Sequence, residues 1–112
     1  MLSPMARLHV LTDDLLFGSR LQAELTGAGH ETSLGPTLDP QADAIVADLT
    51  HDASSRLDLL RGASQPVLAF YSHVEVDVKQ RAEAAGIELV VPRSRIAREG
   101  PTLVDALLAT ES

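Results

Sequence analysis

Residues 43–50, Asp-Ala-Ile-Val-Ala-Asp-Leu-Thr, decide the fold of this chain. Four apolar residues, 44–47, lead directly into the carboxylate of Asp48. A continuous apolar run of this length is typical of a strand buried on both faces, as in a parallel sheet covered by helices. Asp48 would then lie at the carboxyl edge of the sheet, where open α/β folds have their binding crevices.

An acidic pair, Asp13 and Asp14, follows another apolar run at residues 7–12. If the two runs form neighbouring parallel strands, Asp13, Asp14 and Asp48 converge on one edge of the sheet. Like charges that lie close together disfavour mutual ionisation, so we expect a cation or a salt bridge to balance them. Each aspartate could instead cap the helix that follows its strand, and the sequence leaves both interpretations open.

Length and composition restrict the possible classes of protein. A chain of 112 residues has room for one domain, which we place at residues 7–110 after a flexible N-terminus at 1–6. A net charge of −7 argues against broad nucleic-acid binding, which requires clustered cations. The absence of cysteine excludes disulfides and thiolate metal sites. No apolar run approaches the roughly 20 residues that span a bilayer, so we expect a cytoplasmic protein with no membrane partner.

Apolar runs that alternate with helical periodicity predict an α/β domain with a five-stranded parallel sheet. Residues 35–41, between the second and third strands, contain two prolines and cannot be a helix interior. We therefore expect no regular helix there and a thinly covered flank of the sheet. Asp52 is a plausible N-cap, Val74 falls on an inward helical stripe, and residues 93–98 read as a basic turn. The predicted strands cover residues 7–12, 30–34, 44–47, 66–71 and 87–91, and the predicted helices 15–26, 53–61, 74–85 and 101–110.

With these elements assigned, the chain resembles the receiver domain of bacterial response regulators over residues 7–108. Receivers place an acidic pair after their first strand, where Asp13 and Asp14 stand, and a phosphoacceptor aspartate after their third, where Asp48 stands. The resemblance implies a flavodoxin-like, three-layer fold with strand order 2-1-3-4-5, here with helix 2 shortened or absent. It also implies that the three acids hold Mg²⁺ and that Asp48 takes a phosphoryl group from a histidine kinase in two-component signalling or a phosphorelay. Oxygen ligands suit such a hard cation.

Two positions depart from the family's pattern. On an ungapped alignment the family's switch Thr/Ser falls on Tyr71, and Ser72 takes the small-residue position after it. The family's lysine falls on Arg93. A slip of one residue would restore Ser72 as the switch hydroxyl. Arginine differs from lysine in geometry and hydration, and Arg93 could itself neutralise the acids. The pattern fits a divergent or pseudo-receiver in which Mg²⁺ binds weakly or not at all and the phosphoacceptor competence of Asp48 is open.

The resulting hypothesis is a stand-alone, receiver-like signalling domain that is not an enzyme and acts through protein contacts. The resemblance implies a histidine kinase or an output protein as partner. It also implies a weak homodimer through the face of the family's fourth helix, fifth strand and fifth helix. A rival surface is the thinly covered flank near strand two, where a lost helix would expose apolar residues. On the face of the fourth helix, fifth strand and fifth helix we expect a mixed-charge surface made of Lys79, Glu83, Glu88, Arg95 and Asp105.

Other functional classes remain open on the sequence. One is a flavodoxin-like module that binds a small ligand or nucleotide at the carboxyl edge, and another is a small metal-dependent phosphatase. His51 and His73 follow strand ends on the same edge and, with the aspartates, could form a transition-metal site. The arginines at 93, 95 and 98 could contact an acidic partner or nucleic acid, although such a group is more often a solvated turn.

Overall fold

The computed structural model describes residues 6–72 and 74–109, in which five strands and four helices alternate. The predicted flexible segment at residues 1–6 lies almost wholly outside the described residues, as do His73 and the predicted domain end at 110. No helix in the described ranges is long and apolar enough to span a membrane. The elements are β1 (Arg7–Leu11), α1 (Leu15–Gly27), β2 (Glu31–Gly35), β3 (Ala44–Asp48), α2 (Ala53–Leu60), β4 (Val67–Tyr71), α3 (Val76–Ala84), β5 (Leu89–Pro92) and α4 (Arg93–Ala109).

The five strands form one parallel sheet in the order β2-β1-β3-β4-β5, which confirms the predicted fold class and strand order. All five residues of β3 are buried, as expected for a central strand. The register pairs Leu11 with Ala47 and Asp48 with Phe70. The carboxyl ends of β1, β3 and β4 therefore meet at one edge, and this edge carries the acidic residues.

The sheet separates two hydrophobic clusters, which makes three layers. On one side, Leu8, Val10, Leu68 and Phe70 pack with side chains from α1 and α4. On the other side, Leu11, Ile45 and Ala69 pack with side chains from α2 and α3. Because successive residues of a strand point to opposite faces, each apolar strand supplies both clusters.

No helix connects β2 to β3, which confirms the predicted loss of helix 2. No residue of β2 is fully buried, which agrees with a thinly covered flank. The large hydrophobic residues that are strongly exposed in the described ranges are Leu15 and Leu16 on α1 and Val74 and Val76 around the start of α3. The connecting loop at residues 36–43 packs Leu38 against the α2–α3 cluster.

The predicted basic turn at residues 93–98 was wrong, because these residues form the first part of α4. Ile96 is fully buried in the α1–α4 cluster and anchors this part to the sheet. The backbone leaves helical geometry at Glu99 (φ −127°, ψ 22°), two residues before Pro101. Proline disfavours helical geometry in the chain just before it, and α4 consequently has two segments with a kink between them.

Two other local expectations also fail. Asp52 does not cap α2: its backbone is left-handed (φ 48°, ψ 54°) and its side chain makes no capping hydrogen bond. Val74 is not on an inward stripe, because α3 begins only at Val76 and 74% of Val74 is exposed.

Candidate functional site

Asp48, at the end of β3, is a buried carboxylate enclosed by two threonines. It is 4% exposed. Its Oδ2 accepts a hydrogen bond from Thr12 Oγ1 at 2.6 Å, and its Oδ1 accepts from the backbone N–H of Thr50 at 2.8 Å and from Thr50 Oγ1 at 2.5 Å. A buried carboxylate is tolerated where hydrogen bonds replace its hydration. Both oxygens of Asp48 are engaged by the protein itself.

Thr12 is a site residue that the sequence did not reveal. It is fully buried, and its hydroxyl donates to Asp48 while accepting from the backbone N–H of Asp14 at 2.9 Å. In the sequence, a threonine that follows an apolar run indicates only the last residue of a strand. The sheet register gives the available signal, since Leu11 pairs with Ala47 and the next residues of the two strands are therefore neighbours.

Asp14 caps α1 and is the acid that Arg93 reaches. Its Oδ1 accepts from the backbone N–H of Phe17 at 3.1 Å, and its Oδ2 lies 3.6 Å from Arg93 Nη2. The Arg93 guanidinium also lies 4.3 Å from the centre of the Phe17 ring, a cation–π geometry. Phe17 in turn packs on Phe70 with ring centres 5.2 Å apart. Arg93 thus ties the start of α4 to the start of α1.

Asp13 pairs with a second arginine that the sequence reading missed. Its Oδ2 lies 3.0 Å from Arg56 Nη2 on α2, and Arg56 Nη1 donates to the backbone oxygen of Pro36 at 3.3 Å. The Asp13 side chain is 72% exposed, whereas the Arg56 side chain is 9% exposed. A signal existed: position 56 stands three residues after Ala53 and four before Leu60, which places it on the buried stripe of α2.

The three carboxylates lie at the same edge, but each one has its own partners. Asp48 is held by threonines, Asp14 by a helix terminus and Arg93, and Asp13 by Arg56. Among residues 6–72 and 74–109, no three His, Asp or Glu side chains are grouped closely enough to hold a metal ion. The shared acidic cluster expected from the sequence is replaced by separate pairings. As arranged, these donors do not fit the several free oxygen ligands that Mg²⁺ takes.

The two switch candidates lie in different environments. Tyr71 is 7% exposed and belongs to the α2–α3 cluster, so its ring is part of the core. Ser72 lines an open groove of about 480 Å³ at the carboxyl edge, together with Thr50, Glu75 and Arg93. Of the predicted phosphate-contact residues, Ser72 and Arg93 therefore share one groove. His51 lines it as well, while its proposed companion His73 lies outside the described residues.

A parallel five-stranded sheet with an acidic carboxyl edge defines a receiver-like class of α/β protein. Neither a protein-family profile nor a curated protein matches this sequence. Solved structures do match. A response regulator from Thermotoga maritima has a TM-score of 0.79 at 12% identity, covering 95% of this chain and 99% of that one. A response regulator receiver domain protein from Clostridium thermocellum has a TM-score of 0.80 at 15% identity, covering 96% and 97%. The receiver domain of the Francisella response regulator 1452 has a TM-score of 0.77 at 18% identity, covering 96% and 99%.

At such low identity these likenesses concern the fold. The chain has the fold of response-regulator receiver domains over nearly its whole length, as the resemblance implied. Its site residues have to be judged on their own geometry.

Proposed function

We propose that this chain is a receiver-like signalling domain that acts through protein contacts and does not use Asp48 as a phosphoacceptor. One observation carries the proposal: both carboxylate oxygens of buried Asp48 accept hydrogen bonds from Thr12 and Thr50. These contacts make Asp48 a structural tie between the ends of β1 and β3 and the loop that follows β3.

Phosphoryl transfer to a carboxylate needs a free attacking oxygen and a cation that neutralises the developing charge on the phosphoryl group. Both Asp48 oxygens already accept hydrogen bonds in this arrangement, and the cations near the edge are guanidinium groups paired with Asp13 and Asp14. Arg56 and Arg93 supply the charge balance that a divalent cation would otherwise provide. We therefore infer that Mg²⁺ binds weakly or not at all.

The partner of such a domain would be a protein, either a kinase-like or an output protein, or a second copy of the chain. We infer that this contact uses the face formed by α3, β5 and α4, with the five charged residues named above. Two are committed within the chain, because Glu88 accepts from the backbone N–H of Val67 at 2.9 Å and Asp105 lies 3.6 Å from His30. The Glu83 carboxylate, 3.0 Å from Lys79, raises the pKa of that ammonium. Lys79 and Glu83 pair with each other, and Arg95 pairs with Glu99 at 3.6 Å, but all three side chains are 40–51% exposed and can still reach a partner.

Exposure to a small phosphodonor tests the proposal. The protein is incubated with Mg²⁺ and acetyl phosphate, and its intact mass is compared with that of the Asp48→Asn variant. We expect neither protein to gain the mass of a phosphoryl group. A gain in the wild type that disappears in Asp48→Asn would contradict the proposal.

The groove beside Arg93 favours a second candidate, a module that binds a small anionic ligand. Ser72 and Thr50 provide hydroxyl groups there, and the Arg93 side chain is 45% exposed, so its guanidinium is available to an anion. Calorimetric titration with inorganic pyrophosphate, compared between wild type and Arg93→Met, checks this candidate. Heat of binding that depends on Arg93 would favour it, and its absence would leave the protein-contact function alone.

A further inference from the structure

The loop at residues 36–43 is fastened to the sheet by a chain of polar contacts. His9 on β1 is 5% exposed, and both of its ring nitrogens have partners. Nε2 lies 2.7 Å from the backbone oxygen of Thr37, and Nδ1 lies 2.7 Å from Ser33 Oγ on β2. Ser33 Oγ also lies 3.1 Å from Asp39 Oδ2. The chain of contacts starts at Thr37 in the loop, passes through His9 and Ser33 on the sheet, and ends at Asp39 in the loop.

Counting protons decides which form of His9 satisfies this chain. The oxygen of Thr37 only accepts, so Nε2 must carry a proton. If Nδ1 carries none, the single proton of the Ser33 hydroxyl must point to Nδ1, and the serine lone pairs then face the carboxylate of Asp39. If Nδ1 also carries a proton, it donates to Ser33, and Ser33 donates to Asp39. Ser33 Oγ also lies 3.3 Å from the backbone oxygen of Leu8, and its one proton cannot serve both acceptors. Only the doubly protonated ring lets that proton reach Asp39.

We propose that His9, Ser33 and Asp39 form a proton-dependent latch that is complete while His9 is doubly protonated and loses its Ser33–Asp39 contact, which loosens the loop, when His9 loses its second proton. The latch replaces, with a polar contact sensitive to pH, the packing that a helix between β2 and β3 would give.

Charged groups around the latch come from each element that packs on the loop. Asp39 and the imidazolium of His9 are the charged ends of the latch, bridged by one hydroxyl. At the register position of His9, β3 contributes the uncharged Ile45. The other charged groups are Arg7 on β1, Glu31 on β2, Asp43 at the end of the loop and Arg56 on α2.

The expected pH dependence has a definite sign. The latch is complete while His9 is doubly protonated, and its contribution is lost when rising pH removes that second proton. The backbone N–H of Gln41, helped by the Ser33 hydroxyl and the nearby His9 and Arg7 charges, holds the pKa of Asp39 below its ordinary value of 3.8. Asp39 therefore keeps its charge to a lower pH than an ordinary aspartate does. On the acid side the latch fails only when Asp39 is protonated.

The loop is also linked to the acidic edge. Arg56 donates to the backbone oxygen of Pro36 and pairs with Asp13. Gln65 Nε2 donates to the backbone oxygen of Asp39 at 3.0 Å. Release of the loop would remove one of the two partners that hold the Arg56 guanidinium. A change of pH at His9 would in this way reach Asp13.

Nuclear magnetic resonance of the whole chain tests the latch. Imidazole ¹⁵N spectra report the protons on His9, and amide hydrogen exchange, divided by the intrinsic rate at each pH, reports opening of the loop. As the pH is raised, we expect loss of the second His9 proton, wherever it occurs, to coincide with an increase of about tenfold in loop opening, the scale of one charged hydrogen bond. Amides of β3 and those beside His30 should not follow this step.

Substitutions separate the latch from ordinary fraying. Ser33→Ala removes the bridging hydroxyl and should abolish the pH step, whereas Ser33→Thr keeps a hydroxyl and should retain it. Asp39→Asn, on the loop, removes the terminal charge and should also abolish the step if Ser33→Ala fails to fold. A singly protonated His9 at the low-pH end, loop opening that is constant with pH, or an unchanged step in Asp39→Asn would overturn the proposal.

Discussion

At the scale of single residues, the site depends on Thr12 and Arg56, and although Arg56 stands on the buried stripe of α2, the sequence names the partner of neither. The acids themselves could be predicted, because each follows an apolar run. Their partners could not, because a hydroxyl bond across two strands and a buried arginine depend on register and helix rotation. Thr12 meets Asp48 only because β1 and β3 pair in one register, and Arg56 is buried because α2 turns that position toward the sheet.

Removing the Thr12 hydroxyl tests its role directly. Thr12→Val keeps the shape but leaves Asp48 Oδ2 buried without this donor, so we expect a loss of about 1–3 kcal/mol in the free energy of unfolding. Thr12→Ser keeps the hydroxyl and should cost about 1 kcal/mol, the scale of one buried methyl group. Urea unfolding gives both values. A Thr12→Val protein as stable as wild type would show that the bond to Asp48 contributes nothing.

Arg56 can be compared with another arginine near the same helix. Arg56→Met keeps much of the apolar stem but removes the contacts to Asp13 and Pro36. Because Asp13 is mostly exposed and well hydrated, we expect a loss of only about 1–2 kcal/mol. Arg61 is 80% exposed and pairs with Asp58, so Arg61→Met should stay within about 0.5 kcal/mol of wild type. Equal effects of the two changes would rule out a special role for Arg56.

At the scale of elements, the sequence predicted the alternation of strands and helices and the missing helix between β2 and β3, because proline forbids a helix interior. It failed at residues 93–98, where local charge and the nearby prolines read as a turn. Burial of Ile96 against the sheet overrides that local pattern. The sequence placed the start of α2 correctly at Ala53 but assigned the wrong N-cap there, and it began α3 two residues too early, since capping depends on backbone angles that several residues tolerate equally.

Packing of α1 on the sheet can be probed at two of its glycines. A Cβ at Gly18 would lie 2.6 Å from Leu34 Cδ1 and 2.8 Å from Thr12 Cγ2. Leu34 can move, but Thr12 is fixed by its bond to Asp48, so overpacking of about 1–3 kcal/mol should exceed the gain in helix propensity of about 1 kcal/mol.

The control is Gly27→Ala in the same helix, where a Cβ meets nothing within 4 Å. It should be neutral or stabilising by up to about 1 kcal/mol. Thermal unfolding of both variants gives the comparison. A Gly18→Ala protein that melts at or above the temperature of Gly27→Ala would show that α1 does not pack closely on Thr12.

At the scale of the whole molecule, the proposed association runs through the face of α3, β5 and α4. The flank beside β2 remains the rival surface, because no residue of β2 is fully buried. We expect a weak homodimer held by charge pairs that involve Lys79, Glu83 and Arg95. Such a dimer should dissociate as salt screens its charges.

Sedimentation velocity at rising salt measures this association. The dimer fraction should fall between low ionic strength and about 1 M salt, where the Debye length is near 3 Å. Lys79→Glu should reduce the dimer at low salt, whereas Arg20→Glu, a change on α1, should not. A dimer that strengthens with salt would indicate an apolar contact, and a strict monomer at high micromolar concentration would exclude both.

The most direct test of the central claim is a titration of ¹⁵N-labelled protein with Mg²⁺, followed by beryllofluoride, which mimics an acyl phosphate on a metal-loaded aspartate. If Thr12, Thr50, Arg56 and Arg93 hold the acids as described, the amides of Asp13 and Asp48 will show no saturable shift with either addition. Tight, saturable Mg²⁺ binding at Asp13 and Asp48, with a beryllofluoride response that Asp48→Asn abolishes, would contradict the account.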